Sequence, residues 1–205
     1  MGLIASNTPS KDFELLPQGT HQAICIKIID LGWQEVKWQG AVKNLPKVWL
    51  QWEVPGLTLK YSDKDGNEKE GPFTIGKTYT VGLGEKYTMK LDFEAWRGKA
   101  FTKQEEDGFA IKNVLGKPCQ INVTHQLSQK GKEYAKVSGL AEWPKGLEVP
   151  TPANDLYYYD PDDGDFDSLP AWAQEKWAQE TSSSFAEPTN DDAYGEQELD
   201  DDIPF

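Results

Sequence analysis

"EKYTMKLDFEAWRG", Glu85 to Gly98, is where the hydrophobic period of this chain changes from two to nearly four. Met89, Phe93 and Trp96 fall at i, i+4 and i+7, one stripe of an amphipathic helix, and Gly98 is placed to stop it. Thr102 with Glu105 three residues on has the spacing of a capping box and predicts a further helical turn.

The segments on either side read as strands. Upstream, "PFTIGKTYTVGLG" sets Phe73, Ile75, Tyr79, Val81 and Leu83 against a row of threonines. Before it, "NLPKVWLQWEVPGLTLKYSD" places Val48, Leu50, Trp52 and Val54 on one face and Trp49, Gln51 and Glu53 on the other; the turn-rich "DKDGNEKEG" joins the two. Earlier still, "THQAICIKIIDLG" alternates Ile24, Ile26 and Ile28 with Cys25, Lys27 and Ile29. Downstream, "KPCQINVTHQL" and "SQKGKEYAKVSGLAEWP" form a hairpin through Gly131. The order is three strands, a helix, two strands. That is the order of an OB-fold, a mainly β five-stranded Greek-key barrel (β1-β2-β3-α-β4-β5) whose helix plugs one end, although other small β-rich folds could carry the same order.

Charge divides the chain at Pro150. Residues 1–150 hold 20 Lys and Arg against 18 Asp and Glu, whereas residues 151–205 hold 1 against 16, so the overall net charge of −13 describes neither part. A low overall isoelectric point therefore does not exclude a nucleic-acid partner for the first part. Three regions follow: an N-terminal extension over 1–18, a barrel over 19–150, and an acidic tail over 151–205. The tail is poor in aliphatic residues and is expected to be disordered. One island interrupts it near 168–180, where "LPAWAQEKWAQE" puts Leu169, Trp172, Ala173 and Trp177 on one helical face, suited to a partner or to the barrel itself. No window has the apolar length of a membrane span and no secretory signal is visible, so a soluble protein of the cytoplasm is expected, with no membrane partner.

Enzyme chemistry finds little to use. No Gly-rich phosphate loop or Gly-x-Ser-x-Gly elbow is present, and "DPDDGDFD" from Asp160 misplaces both the glycine and the closing Glu of a calcium loop. His21 with Cys25, and Cys119 with His125, each lie along one strand; at ~3.3 Å per residue they are too far apart to share a zinc ion. The cysteines are expected to be buried and reduced. The reading is a non-enzyme without cofactor or metal.

An OB barrel that binds single strands uses the outer face of strands 2 and 3 and the loops joining strands 1 to 2 and 4 to 5, with aromatics for bases and cations for phosphates. "GWQEVKWQGAVKNLPK", expected to be the first loop, carries Trp33, Lys37, Trp38, Lys43 and Lys47. The second, "SQKGKEY", carries Lys130, Lys132 and Tyr134. Trp49 is expected on the open face of strand 2, with Lys60 and Lys77 flanking it. Any one of these could be ordinary packing or a solvated charge; their joint placement points to single-stranded nucleic acid.

The chain closes on "DDDIPF", Asp200 to Phe205. This ending resembles the C-terminal tip of bacterial single-stranded DNA-binding proteins, and "WRGKAF" with "NVLGKPC" resembles phage and prophage members of that class. The resemblance implies a protein that coats and protects single-stranded DNA in replication, recombination and repair without sequence preference. It further implies that Asp200, Asp201, Asp202, Ile203, Pro204 and Phe205 dock host or phage replication and recombination proteins. Phe205 would enter a partner pocket, Pro204 would limit the entropy lost, and the aspartates would steer the encounter. A monomer or dimer is expected. A recombination mediator or strand-annealing protein, and an acidic DNA-mimic inhibitor, remain open alternatives.

Overall fold

The computed structural model describes residues 14–38, 41–62, 66–162 and 164–178. Five strands form the main sheet: β1 Gly19–Trp38, β2 Ala41–Ser62, β3 Glu68–Thr80, β4 Pro118–Leu127 and β5 Glu133–Ala141. They hydrogen-bond in the order β3-β2-β1-β4-β5, every neighbouring pair antiparallel, in a mainly β, curled half-barrel whose strand order is consistent with a barrel. Between β3 and β4 lie helix α1, Thr88–Arg97, the short helix α2, Lys103–Glu106, and a single 3-10 turn, Ile111–Val114.

The expected helix forms where its stripe predicts. Met89, Phe93 and Trp96 are buried, and the chain leaves α1 through Gly98 at φ 66°, a left-handed conformation open to glycine at little cost. Helix α1 packs against both β3 and β5, the two ends of the strand path. Its fourth buried residue is Asp92, whose Oδ2 accepts from Lys77 Nζ at 2.8 Å and from the Tyr79 hydroxyl at 2.7 Å. The Thr102–Glu105 capping box is present in full at the start of α2.

The inner face of the half-barrel is the main core. Val48, Leu50, Trp52 and Val54 of β2 meet Phe73, Ile75 and Tyr79 of β3, Cys119, Ile121 and Val123 of β4, and the α1 stripe. In β1 the expected alternation is interrupted. The register with β2 shifts between Cys25 and Lys27, so Ala23, Cys25 and Ile28 point into this core while Ile29 and Leu31 point outward. A bulge inserts one residue and reverses the phase of all that follow. Cys25 and Cys119 are free and buried, and burial raises both thiols well above the usual range. The imidazoles tie down the chain ahead of β1: Nε2 of His21 lies 2.7 Å from the Pro17 carbonyl and that of His125 2.9 Å from the Leu16 carbonyl.

Two expectations are corrected here. The stretch from Gly32 to Lys47 is not a loop but the far end of a β1–β2 hairpin, paired from Trp33 with Pro46 to Trp38 with Ala41. Its Gly, Gln and Asn content reads as a loop, but the alternation of buried Gln34 and Val36 with the more open Trp33, Glu35 and Lys37 is that of a strand.

The second correction concerns the segment after Pro150. Of the residues expected to be disordered, the described ones in 151–167 lie on the half-barrel, as does the helix expected near 168–180. Strand β6, Tyr157–Tyr159, runs parallel to β1 at Lys27–Ile29, and helix α3, Ala171–Ala178, follows over the outward face. Glu53, fully buried, anchors the entry: its carboxylate accepts from the backbone N–H of Ala153 and Asn154, at 2.8 and 2.9 Å, and from Asn154 Nδ2 at 2.6 Å. Composition misleads at this point because the segment borrows its apolar surface from the sheet instead of supplying a core of its own.

Candidate nucleic-acid interface

The outward face of β2 and β3 was expected to be open, with Trp49 as its stacking platform. Cross-strand register places Ile29, Trp49 and Thr78 side by side on that face, with Lys47 and Thr80 next along it. The indole of Trp49 lies over Gly76, the one position of β3 there without a side chain. Above it sits Trp172 of α3, ring centroids 4.8 Å apart and planes at 66°. Ile29, Leu31, Trp49, Tyr159, Leu169 and Ala173 together form a second buried core, with Trp172 and Trp177 packed against it. Trp177 Nε1 donates to the Asp30 carbonyl at 2.8 Å, and Gln34 Nε2 to that of Lys176 at 3.1 Å, fixing the C-terminal half of α3 to β1.

Trp49 is therefore only 6% exposed and is a packing residue. Fully burying a large apolar side chain contributes roughly 1.5–3 kcal/mol, so this cluster holds the segment with on the order of 5–10 kcal/mol. A base stacked on one aromatic returns ~1–3 kcal/mol, which does not offset displacing the cover. The cover also carries charge: residues 151–178 hold seven Asp and Glu against the single Lys176.

The other expected contacts divide by environment. Lys47 is buried and its Nζ donates to Thr80 Oγ1 at 2.6 Å. Lys77 points inward, not outward, and its ammonium is committed to Asp92, with 11% of its side chain exposed. Both are corrections: the alternation that leaves Tyr79 in the core also leaves Lys77 there, where α1 supplies a counter-charge. Lys37 is open at the hairpin end, 3.8 Å from Glu35, and Lys60 is exposed on the β2–β3 arm. Trp33 and Lys43 are half-buried in the β1–β2 hairpin. Trp38 ends β1 opposite Ala41, and its side chain, like the tip Asp200–Phe205, lies outside the described residues.

Lys130 and Lys132 are exposed at the β4–β5 turn. That turn is held by bonds from the Gly131 N–H to the Ser128 carbonyl and from the Ser128 N–H to the Lys132 carbonyl, each 2.8 Å, with Gly131 at φ 77°. Tyr134 is half-buried and donates to Gln126 Oε1 at 3.2 Å. Register pairs Gln126 with Tyr134 and Thr124 with Lys136, so these four share the outward face of the hairpin, away from Val123 and Val137 in the core. Lys136 was missed by the sequence reading. Its parity with Tyr134 along β5 is the signal that would have found it.

No group of histidine, cysteine, aspartate or glutamate among the described residues could hold a metal ion. No described helix is long and apolar enough to cross a membrane. No protein-family model matches the chain, and no curated protein matches it.

Proposed function

We propose that this chain is an OB-fold single-stranded DNA-binding protein that coats strands without sequence preference and recruits replication and recombination proteins through Asp200–Phe205. The observation that carries the reading is the strand path β3-β2-β1-β4-β5 with α1, inserted between the third and fourth strands, packed against both ends of that path. This supports an OB barrel, in which such a helix plugs one end. The exposed lysines of the β4–β5 turn and the "DDDIPF" ending support the binding and recruiting roles.

The ordered acidic surface of residues 151–178 favours a second reading, an acidic DNA mimic that inhibits another protein. Anisotropy of labelled oligo(dT), against a duplex of equal length and at several salt concentrations, separates the two. Single-strand binding that exceeds duplex binding and weakens linearly in log salt is the expected result. No binding of either at low salt would remove the first reading and leave the mimic. Efficient pairing of complementary strands in the same mixtures would shift the role towards annealing.

A further inference from the structure

We infer that a single strand crosses the outward face of the β4–β5 hairpin, along Lys130, Lys132, Tyr134 and Lys136, and does not run over the outward face of β1–β3. The inference rests on the proposed DNA-binding function and narrows the expected contacts to the β4–β5 hairpin, extended by Lys136 and without the Trp49 face. Three observations converge on it.

The β1–β3 face is occupied by the chain itself, through the Trp49–Trp172 contact and the buried cluster around it. The described residues of that cover include six carboxylates against one ammonium, a potential that repels a polyanion. By contrast, the stretch from Lys117 to Lys136 holds four lysines against the single Glu133. In it, Lys130 and Lys132 stand exposed on a turn fixed by its own backbone bonds, while Tyr134 and Lys136 alternate onto one face. The same face continues into Asn122 and Ser138, both exposed and hydrogen-bonded to each other at 3.0 Å, so a polar track extends from the turn towards the body of the sheet. Cations spaced along a paired hairpin, with one aromatic among them and polar groups beyond, suit a phosphate backbone whose bases are read without sequence preference.

The test uses the full chain and labelled oligo(dT). Lys130→Gln, Lys132→Gln and Lys136→Gln are combined in one variant. A control, K99Q/K103Q/K145Q, removes equal charge from exposed lysines elsewhere. Circular dichroism and melting temperature establish that both remain folded.

The hairpin variant is expected to bind at least tenfold more weakly at low salt. Its slope of log affinity against log salt should flatten by about two units, since each phosphate neutralised by a lysine adds ~0.7 to that slope on a single strand. The control should stay within about twofold of the parent. If the parent binds and the hairpin variant binds equally well, the inference is overturned; a rise in affinity on Trp172→Ala would then relocate the strand to the Trp49 face. Equal weakening of variant and control would also overturn it, as a general charge effect. A parent that binds no single strand at all fails the function itself.

Discussion

An ideal Cβ at Gly76 would lie 2.4 Å from Nε1 of Trp49, so the pair is matched: the indole can lie across β3 only because that position has no side chain. Gly76→Ala must push the ring into Trp172 and is expected to cost about 1–3 kcal/mol, the usual range for overpacking. Urea unfolding would measure this as a lower midpoint. A midpoint equal to the parent would mean that the ring moves freely and the second core is loose. Tyr158 provides a pH dependence. Burial, reinforced by donation from its hydroxyl to Asp160 Oδ2, pushes its phenol up from the ordinary 10.0 to about 12. The neutral form is favoured by folding, so the stabilisation is complete below pH ~10 and is lost as pH rises towards 12. Stability should fall over that window, less steeply in Tyr158→Phe. Equal slopes in parent and variant would show that Tyr158 is not the source of the dependence.

At the scale of elements, the segment 151–178 depends on one buried anion. Three N–H donors converge on Glu53, none of them from a cationic side chain, and hydrogen bonds to a charged group contribute about 1.5–3 kcal/mol each. Glu53→Gln keeps the size but replaces one accepting oxygen with a donor, leaving an N–H facing an NH2 group. The segment's entry should loosen, and limited proteolysis should cut between Ala141 and Tyr157 faster than in the parent while β1–β5 survive. Unchanged cutting would show that β6 and the Trp49 cluster hold the segment without that anchor. Helix α1 is fastened differently. Its apolar stripe supplies the burial, and the Lys77–Asp92 pair fixes its rotation over the core.

For the whole molecule, the described body extends past Pro150 to Ala178. Truncation after Pro150 would strip the cover from Trp49 and destabilise the sheet, so the informative truncation begins at Gln179. Residues 179–205 carry nine carboxylates and no cation. Removing them should strengthen oligo(dT) binding, most at low salt, because a tethered polyanion competes with the strand at high effective concentration. Deleting only Ile203–Phe205 removes no side-chain charge; it should leave that affinity within about twofold while abolishing pull-down of a replication protein that the full chain captures. Retained capture after the three-residue deletion would end the docking role of the tip.

The period of two in residues 48–54 of β2 and in β3, β4 and β5, that of nearly four in α1, the stop at Gly98 and the box at Thr102 were legible in the sequence, because each is a local preference of neighbouring residues. The paired strands between Trp33 and Lys47 were passed over for a loop. The division of charge at Pro150 was equally plain, being composition alone. What lay beyond the sequence were the outcomes that depend on partners distant along the chain. The bulge after Cys25 reversed the facing of Ile28 and Ile29, and α1 gave Lys77 a counter-charge that kept it inside. Trp49 and Gln51 alternate as an open face should, and nothing near them signals that Trp172, more than a hundred residues away, will cover the ring. Local pattern determined which segments are strands and helices. Only the tertiary structure decided which face stays open, since burial is a property of the pair of surfaces that meet.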